Sequence, residues 1–263
     1  MRSILLLLLV CLTLAACSPV YIPNAPTTVL PREPGDLHLA VSTGTHGVDG
    51  SIAIAANDQM VVVAAGSYKG GGEEFDYAHH AYGEILAGWY VPFSAGSFVL
   101  LGGGGGGKAS ASCTDAGFGA LTCDNMIRSG NYTRYVVQAN IGFGIERTTP
   151  PTVVPGTLQP PVIRMPVSYR QELGLATRVA LVRFPRLAER SYTFDPVTGD
   201  PIAGMATERE VTAIFFEPTL FTRWVSGPIG FEGQIGATIP VAGRGTLPIQ
   251  YLNVSVGIFL RLE

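Results

Sequence analysis

The sequence predicts an all-β fold, a single antiparallel up-and-down β-barrel of about ten strands, and three observations predict it. Long segments alternate apolar and polar residues with period two, which puts one kind on each face of a strand. The composition is rich in glycine (33) and proline (19) and only 14% charged. The links between the alternating segments are short and long by turns. Few ions, a mean hydropathy of +0.30 and the want of a long apolar run after the first residues suit a wall whose outside faces hydrocarbon better than one that faces water.

Residues 1–16 stand apart. Met1-Arg2, the apolar run Ile4 to Val10 and Leu14-Ala15-Ala16 before Cys17 follow the order of a signal peptide, and about a dozen apolar residues are too few for a spanning helix. The small residues set directly before Cys17 resemble the lipobox of bacterial lipoproteins. That resemblance implies cleavage ahead of Cys17 and acylation, palmitate included, of the new N-terminus; an ordinary signal with a chance cysteine is the alternative. Residues 17–35 carry repeated proline without periodicity, so they read as a lipidated, extended tether, able to reach on the order of 50 Å if polyproline-like. The barrel domain then occupies 36–263.

Within that domain the last segment, 251–262, is the clearest strand. Leu252, Val254, Val256, Ile258, Leu260 and Leu262 fall on one face, and Asn253, Ser255, Gly257 and Arg261 on the other. Similar alternation covers 132–146, 168–183 and 229–239, and weaker alternation covers 37–45, 50–56, 59–68, 80–92, 96–106 and 211–224. Strands this long exceed the usual five or six residues and cross a bilayer when tilted. Asn57-Asp58, residues 92–96 and Ser226-Gly227-Pro228 are tight turns. Longer links fall at 70–75, at the cysteine-bearing 107–131, at 185–208 and around Gly243-Arg244-Gly245. Short turns on one rim and long loops on the other are the pattern of outer-membrane barrels, with the short turns periplasmic. The short Thr45-His46-Gly47 and the Pro-rich 148–166 break that pattern.

Sorting by parity collects ions on the less apolar face: Glu84, Glu146, Glu172, Glu217 and Glu232 against Arg134, Arg170, Arg178, Arg223 and Arg261. The signs balance. Placed in a narrow lumen these side chains pair across it, because an unpaired ion there is costly, so the interior is expected to be a packed polar core rather than a pore. The other face carries aliphatics with Trp89, Tyr135, Phe143, Phe216 and Trp224, aromatics suited to an interfacial girdle. The opposite assignment, with these residues inside a soluble lipocalin-like barrel that binds an apolar ligand, remains an alternative, and a small channel is another.

Catalysis finds little support, and no enzyme is expected. His79-His80 with Glu73, Glu74 and Asp76 lacks metal-site spacing. Gly102 to Gly107 has no Lys-Ser/Thr after it and no following helix, so it is no phosphate loop; on a strand it permits close approach of interior side chains or curvature. No nucleophile motif occurs, and no cofactor or metal is implied. A net charge of −3 leaves no basic footprint for nucleic acid. Cys11 leaves with the signal and Cys17 takes lipid, so Cys113 and Cys123 remain; in an oxidising compartment they most simply form a disulfide, free thiols being the other state.

Cys17-Ser-Pro-Val-Tyr-Ile-Pro-Asn24, Gly44-Thr-His-Gly47, the hairpin Ile52 to Met60, Ala65-Gly-Ser-Tyr68 and the closing Asn253 to Arg261 together resemble outer-membrane β-barrel lipoproteins of Bacteroidota, a group of undefined role. The resemblance spans most of the mature chain and supplies no catalytic residue. The 148–166 insertion and the terminal Leu262-Glu263 in place of an aromatic depart from it. The expectation is a lipid-anchored outer-membrane barrel with both chain ends periplasmic and a structural or binding role. Its partners are outer-membrane lipid and, at loops 107–131 and 185–208, a protein or glycan.

Overall fold

The computed structural model describes residues 19–73, 76–113, 125–148, 152–154, 162–164, 168–195, 197–198, 201–243 and 247–262. Ten strands form the wall: β1 (Leu37–Gly44), β2 (Gly47–Ala55), β3 (Met60–Lys69), β4 (Asp76–Phe93), β5 (Gly96–Cys113), β6 (Met126–Thr148), β7 (Ser168–Phe194), β8 (Pro201–Ser226), β9 (Ile229–Ala237) and β10 (Leu252–Leu262). Each pairs antiparallel with its chain neighbours, and β1 pairs β10 from Leu37↔Leu262 to Gly44↔Ser255. The sheet is therefore closed into a cylinder, and only the projecting part of β8, Pro201 to Ala213, has a ladder partner on its β7 side alone among the described residues. Outside the wall, Ile239–Ala242 extends the cover of β8, and Thr152–Val154 with Val162–Arg164 form a two-stranded ribbon in the link between β6 and β7.

Local chemistry places the turns. Asn57 Oδ1 accepts the N–H groups of Gln59 (2.9 Å) and Met60 (2.8 Å), closing β2 onto β3 as an Asx turn does. Gly227 takes φ +61 in the β8–β9 turn and Gly47 takes φ +110 after the two-residue β1–β2 link, conformations that side chains disfavour. The turns after β2, β4 and β8 are short and share one rim with the start of β1 and the end of β10; the β6–β7 link is long and lies on that rim too.

The wall is uneven. β1, β2, β3, β9 and β10 run 8, 9, 10, 9 and 11 residues, whereas β6, β7 and β8 run 23, 27 and 26. Most of what reads in the sequence as the links 107–131 and 185–208 is strand: β5 continues to Cys113, β6 begins at Met126, and β7 and β8 stay paired out to Phe194↔Pro201. The alternation fades there because the end of β8 from Pro201 to Glu208 is exposed on both faces, so no burial selects a pattern.

Which face is greasy is unambiguous. Val254, Val256, Ile258 and Leu262 on β10, Ile85, Trp89 and Val91 on β4, Tyr135, Val137 and Phe143 on β6, and Leu173 and Val179 on β7 all point outward. Glu84, Arg134, Gln138, Arg178, Glu217 and Arg223 point inward and are buried.

Residues 19–35 depart from the tether expectation. Val20, Tyr21, Ile22, Asn24, Thr27, Thr28, Val29 and Leu30 are all buried, because this segment runs inside the barrel. The prolines that suggested a free spacer instead keep the strand-like segment extended and remove N–H donors that the lumen would have to satisfy.

Candidate functional site: a plugged ionic lumen

The lumen is assembled from one inward row per strand, and glycine decides its shape. Gly105 lies in register between Glu84 on β4 and Arg134 on β6, and Gly107 lies between Tyr82 and Tyr132. With no side chain at Gly107, the rings of Tyr82 and Tyr132 stack across it at 5.7 Å and 9°. An added Cβ at Gly105 would overlap Gly83 O and come within 2.7 Å of Glu84 Cα. The glycine run thus lets large polar side chains close over bare backbone.

At the centre are two carboxylates and two guanidinium groups. Glu217 accepts from Arg134 Nη2 (2.8 Å), Arg178 Nε (2.5 Å) and the Tyr21 hydroxyl (2.9 Å). Glu84 accepts from Tyr82 (2.7 Å) and from Asn24 Nδ2 (3.0 Å), and lies 3.9 Å from Arg178 Nη1. The Arg134 and Arg178 side chains are each 1% exposed. Asn24 is the joint: its Oδ1 accepts from both Arg134 and Arg178, and its carbonyl accepts from Arg178 at 2.7 Å. Two like charges are held together by an amide that offers them two lone pairs.

Toward the short-turn rim a second set repeats the arrangement. Arg223 pairs with Glu232, lies 3.7 Å from Glu172 and donates to the Thr28 hydroxyl at 2.5 Å, and that hydroxyl donates on to Glu232. Gln138 and Asn140 both donate to Thr27 O, at 2.8 and 2.9 Å. Arg170 donates to Glu172 at 2.8 Å, and Arg32 lies 3.7 Å from Glu172. Two small voids between plug and wall measure about 20 Å³ beside Asn24 to Thr28 and about 10 Å³ beside Val29 to Pro31, around one water each.

Of the ten ions read from parity, the structure gathers Glu84, Arg134, Arg178 and Glu217 at the centre and Arg170, Glu172, Arg223 and Glu232 below. Arg261 sits apart and pairs with Asp36 at 2.8 Å. Glu146 is a correction: its side chain is 70% exposed and meets Arg170 only at 3.5 Å, because it lies at the short-turn rim, past the end of the enclosed lumen. Cys17 and Cys123 lie outside the described residues, as does the Cys113 side chain, so lipidation and the disulfide have no structural counterpart here. His79 and His80 occupy opposite faces, His79 exposed and His80 buried against Tyr132 and Ser67, which parts the pair considered as metal ligands. Among the described residues no group of three His, Cys, Asp or Glu could hold a metal.

Sequence reading missed the plug side chains Tyr21, Asn24 and Thr28, and also His46, which pairs with Asp49 beside them. It missed a third ionic group, in which Glu189 accepts from Arg128 (2.9 Å) and Arg209 (2.7 Å) on the projecting part of the wall. Arg128 and Arg209 keep the inward parity of β6 and β8, but Glu189 does not continue that of β7, because an irregularity at 184–187 shifts the register there, so alternation alone does not reveal the group. At the tip of the projection Asp195 accepts the N–H groups of Val197 (2.7 Å) and Thr198 (3.1 Å), bonds that hold its carboxyl below the usual carboxylate range.

Fold and lumen together define a closed ten-stranded antiparallel barrel with apolar residues outside and a plugged, ion-paired interior. No protein-family model and no curated protein matches the chain. Among solved structures, the translocator domain of autotransporter NalP from Neisseria meningitidis is similar at 16% identity over 87% of this chain and 87% of that one, with a TM-score of 0.34. The copper transporter OprC is similar at 14% identity over 88% of this chain and 43% of that one, with a TM-score of 0.19. At these scores neither likeness bears on what the chain does.

Proposed function

We propose that this chain is an outer-membrane barrel lipoprotein, acylated at Cys17, that acts by structure or contact rather than by conduction or catalysis. The observation that carries the reading is the inverted distribution of the wall, apolar outside and ionic inside. The outward apolar stretch runs from Tyr135 to Ile145 on β6 and from Leu173 to Leu181 on β7, about 9–11 residues, the length a tilted strand needs to cross the hydrocarbon core. Phe93, Phe98, Phe143, Trp224 and Phe231 gather outward near the short-turn rim, where an aromatic girdle belongs. A soluble apolar-ligand carrier would reverse the two faces, and the filled lumen argues against a channel. The projecting β7–β8 hairpin, ladder-paired and exposed toward its tip, offers a place for a protein or glycan partner. The resemblance to Bacteroidota lipoproteins supports the anchored form.

The test is extraction of a Cys17→Ser variant given an ordinary signal-peptidase site. It is expected to stay in the membrane fraction until detergent is added. Release into buffer would sink the membrane-spanning reading.

A further inference from the structure

The contacts of residues 19–36 fix the direction in which the plug crosses the barrel. At one end the N–H groups of Val20 and Tyr21 both donate to Pro248 O at 3.1 Å, and Tyr21 O accepts from Gln250 N at 3.1 Å. Residues 248–250 belong to the β9–β10 link, on the rim of the long connections. At the other end Gly35 N donates to Ala55 O at 2.8 Å and Asp36 O accepts from Ala55 N at 2.9 Å, on the short-turn rim.

Between the two ends the partners descend without a reversal. On β6 they are Arg134 for Asn24, then Gln138 and Asn140 for Thr27, then Gly142 under Leu30. On β7 they are Arg178 for Asn24, then Glu172 for Arg32. On β8 they are Glu217 for Tyr21, then Arg223 for Thr28. The chain therefore enters at the long-connection rim and leaves at the rim where β1 starts and β10 ends. This corrects the expectation that both chain ends share a rim.

We infer that the protein is threaded through its own barrel, so that the part of the chain preceding Pro19, with its acyl chains on Cys17, is presented at the external face and anchors in the outer leaflet. The inference rests on the outer-membrane reading above and on short turns facing the periplasm. The magnitudes support it. Two residues from Pro19 back to Cys17 span at most about 7 Å, whereas the apolar band of such a barrel is about 25 Å tall. An anchor at Cys17 cannot reach the periplasmic leaflet unless the plug is pulled out of the lumen, which would strip Glu84, Glu217, Arg134 and Arg178 of their Asn24 and Tyr21 partners.

One epitope placed in three full-length proteins tests this: after Ser18, in the Val197–Thr198 turn, and at Asp58 in the β2–β3 turn. Antibody is applied to intact and to permeabilised cells. The expected result is equal binding before and after permeabilisation for the tags after Ser18 and at Val197, with the Asp58 tag bound only after it. A tag after Ser18 hidden together with Asp58, while Val197 is bound on intact cells, overturns the threading and leaves the membrane reading standing. Asp58 bound on intact cells with the other two hidden reverses the orientation and overturns the inference as well. All three hidden, with the protein in the soluble fraction, refutes the outer-membrane reading itself.

Should the tag after Ser18 block folding, a Val20→Cys/Pro248→Cys pair in the otherwise unaltered chain serves instead. Peptide mapping of the folded, oxidised protein is expected to recover the Val20–Pro248 crosslink, and its absence would overturn the threading.

Discussion

Replacing Glu217 by Gln tests the lumen most directly, because it keeps the shape and removes one charge. The central group holds two carboxylates, Glu84 and Glu217, and two guanidinium groups, Arg134 and Arg178, so it is neutral. Glu217 alone accepts from both arginines and from Tyr21. In Glu217→Gln one positive charge is left uncompensated among side chains 1% exposed, and removal of one partner from a buried pair costs about 3–5 kcal/mol. Glu84 lies 3.9 Å from Arg178 and absorbs part of that field, which places the expected loss near about 3 kcal/mol, the low end of that range. Urea unfolding of the detergent-folded protein, followed by the gel-mobility shift between folded and heated forms, measures it. The double variant Glu217→Gln/Arg178→Gln restores neutrality and should recover at least about 1 kcal/mol of the loss, the coupling expected of residues in contact. A Glu217→Gln protein within about 0.5 kcal/mol of the parent, the range of an unremarkable surface change, would mean that water fills the lumen and that the dry ionic core is wrong.

Three further outcomes follow from the same geometry. Deleting residues 19–32 while keeping the signal and Asp36 removes the plug, so planar-bilayer recordings should show conductance for the deletion and none for the full chain; conductance by the full chain would refute the filled lumen. Gly105→Val should cost about 3 kcal/mol, at the upper end for overpacking, because even a Cβ there overlaps Gly83 O. Gly102→Ala, outward and with its nearest neighbour, Val136 O, 4.0 Å away, should leave urea stability unchanged, and equal losses at the two positions would refute the packing argument. Arg183→Gln breaks an ion pair with Glu210 whose side chains are each 56% exposed, so it should change stability by less than about 1 kcal/mol, a bound checked by the same titration.

The wall was legible in the sequence because its two faces face opposite environments. Leu252 to Leu262 alternates cleanly, and the strand pairs in the register that alternation demands; a slip of one residue would bring Arg261 outward and Ile258 in. The ions were legible by the same parity, which is why nine of the ten lie inside or at the mouth of the lumen. Period two says nothing about a segment that makes no ladder. Tyr21, Asn24 and Thr28 bond to side chains 196, 60 and 204 positions away, and nothing local in a Pro-rich stretch marks such partners. The projecting parts of β7 and β8 were obscured for other reasons: residues 201–208 of β8 are exposed on both faces and carry no alternation, and the irregularity at 184–187 shifts the parity of β7.

The plug and the closure of the wall are best understood as one event. The wall's inward side chains are ionic, yet opposite charges from neighbouring rows do not satisfy one another alone: Arg134 and Arg178 share Asn24, and Arg223 reaches Glu232 partly through Thr28. Asn and Thr suit this work because each donates and accepts, so one small side chain can stand between ions of either sign. A barrel closed without the segment would enclose unsatisfied guanidinium and carboxylate groups and would have to admit water. The segment continues directly into β1, whose pairing with β10 seals the cylinder between residues 37 and 262. The pairing that closes the ring thus involves the strand that carries the plug, and the groups that would oppose closure of an empty ring find their partners on the segment next to it.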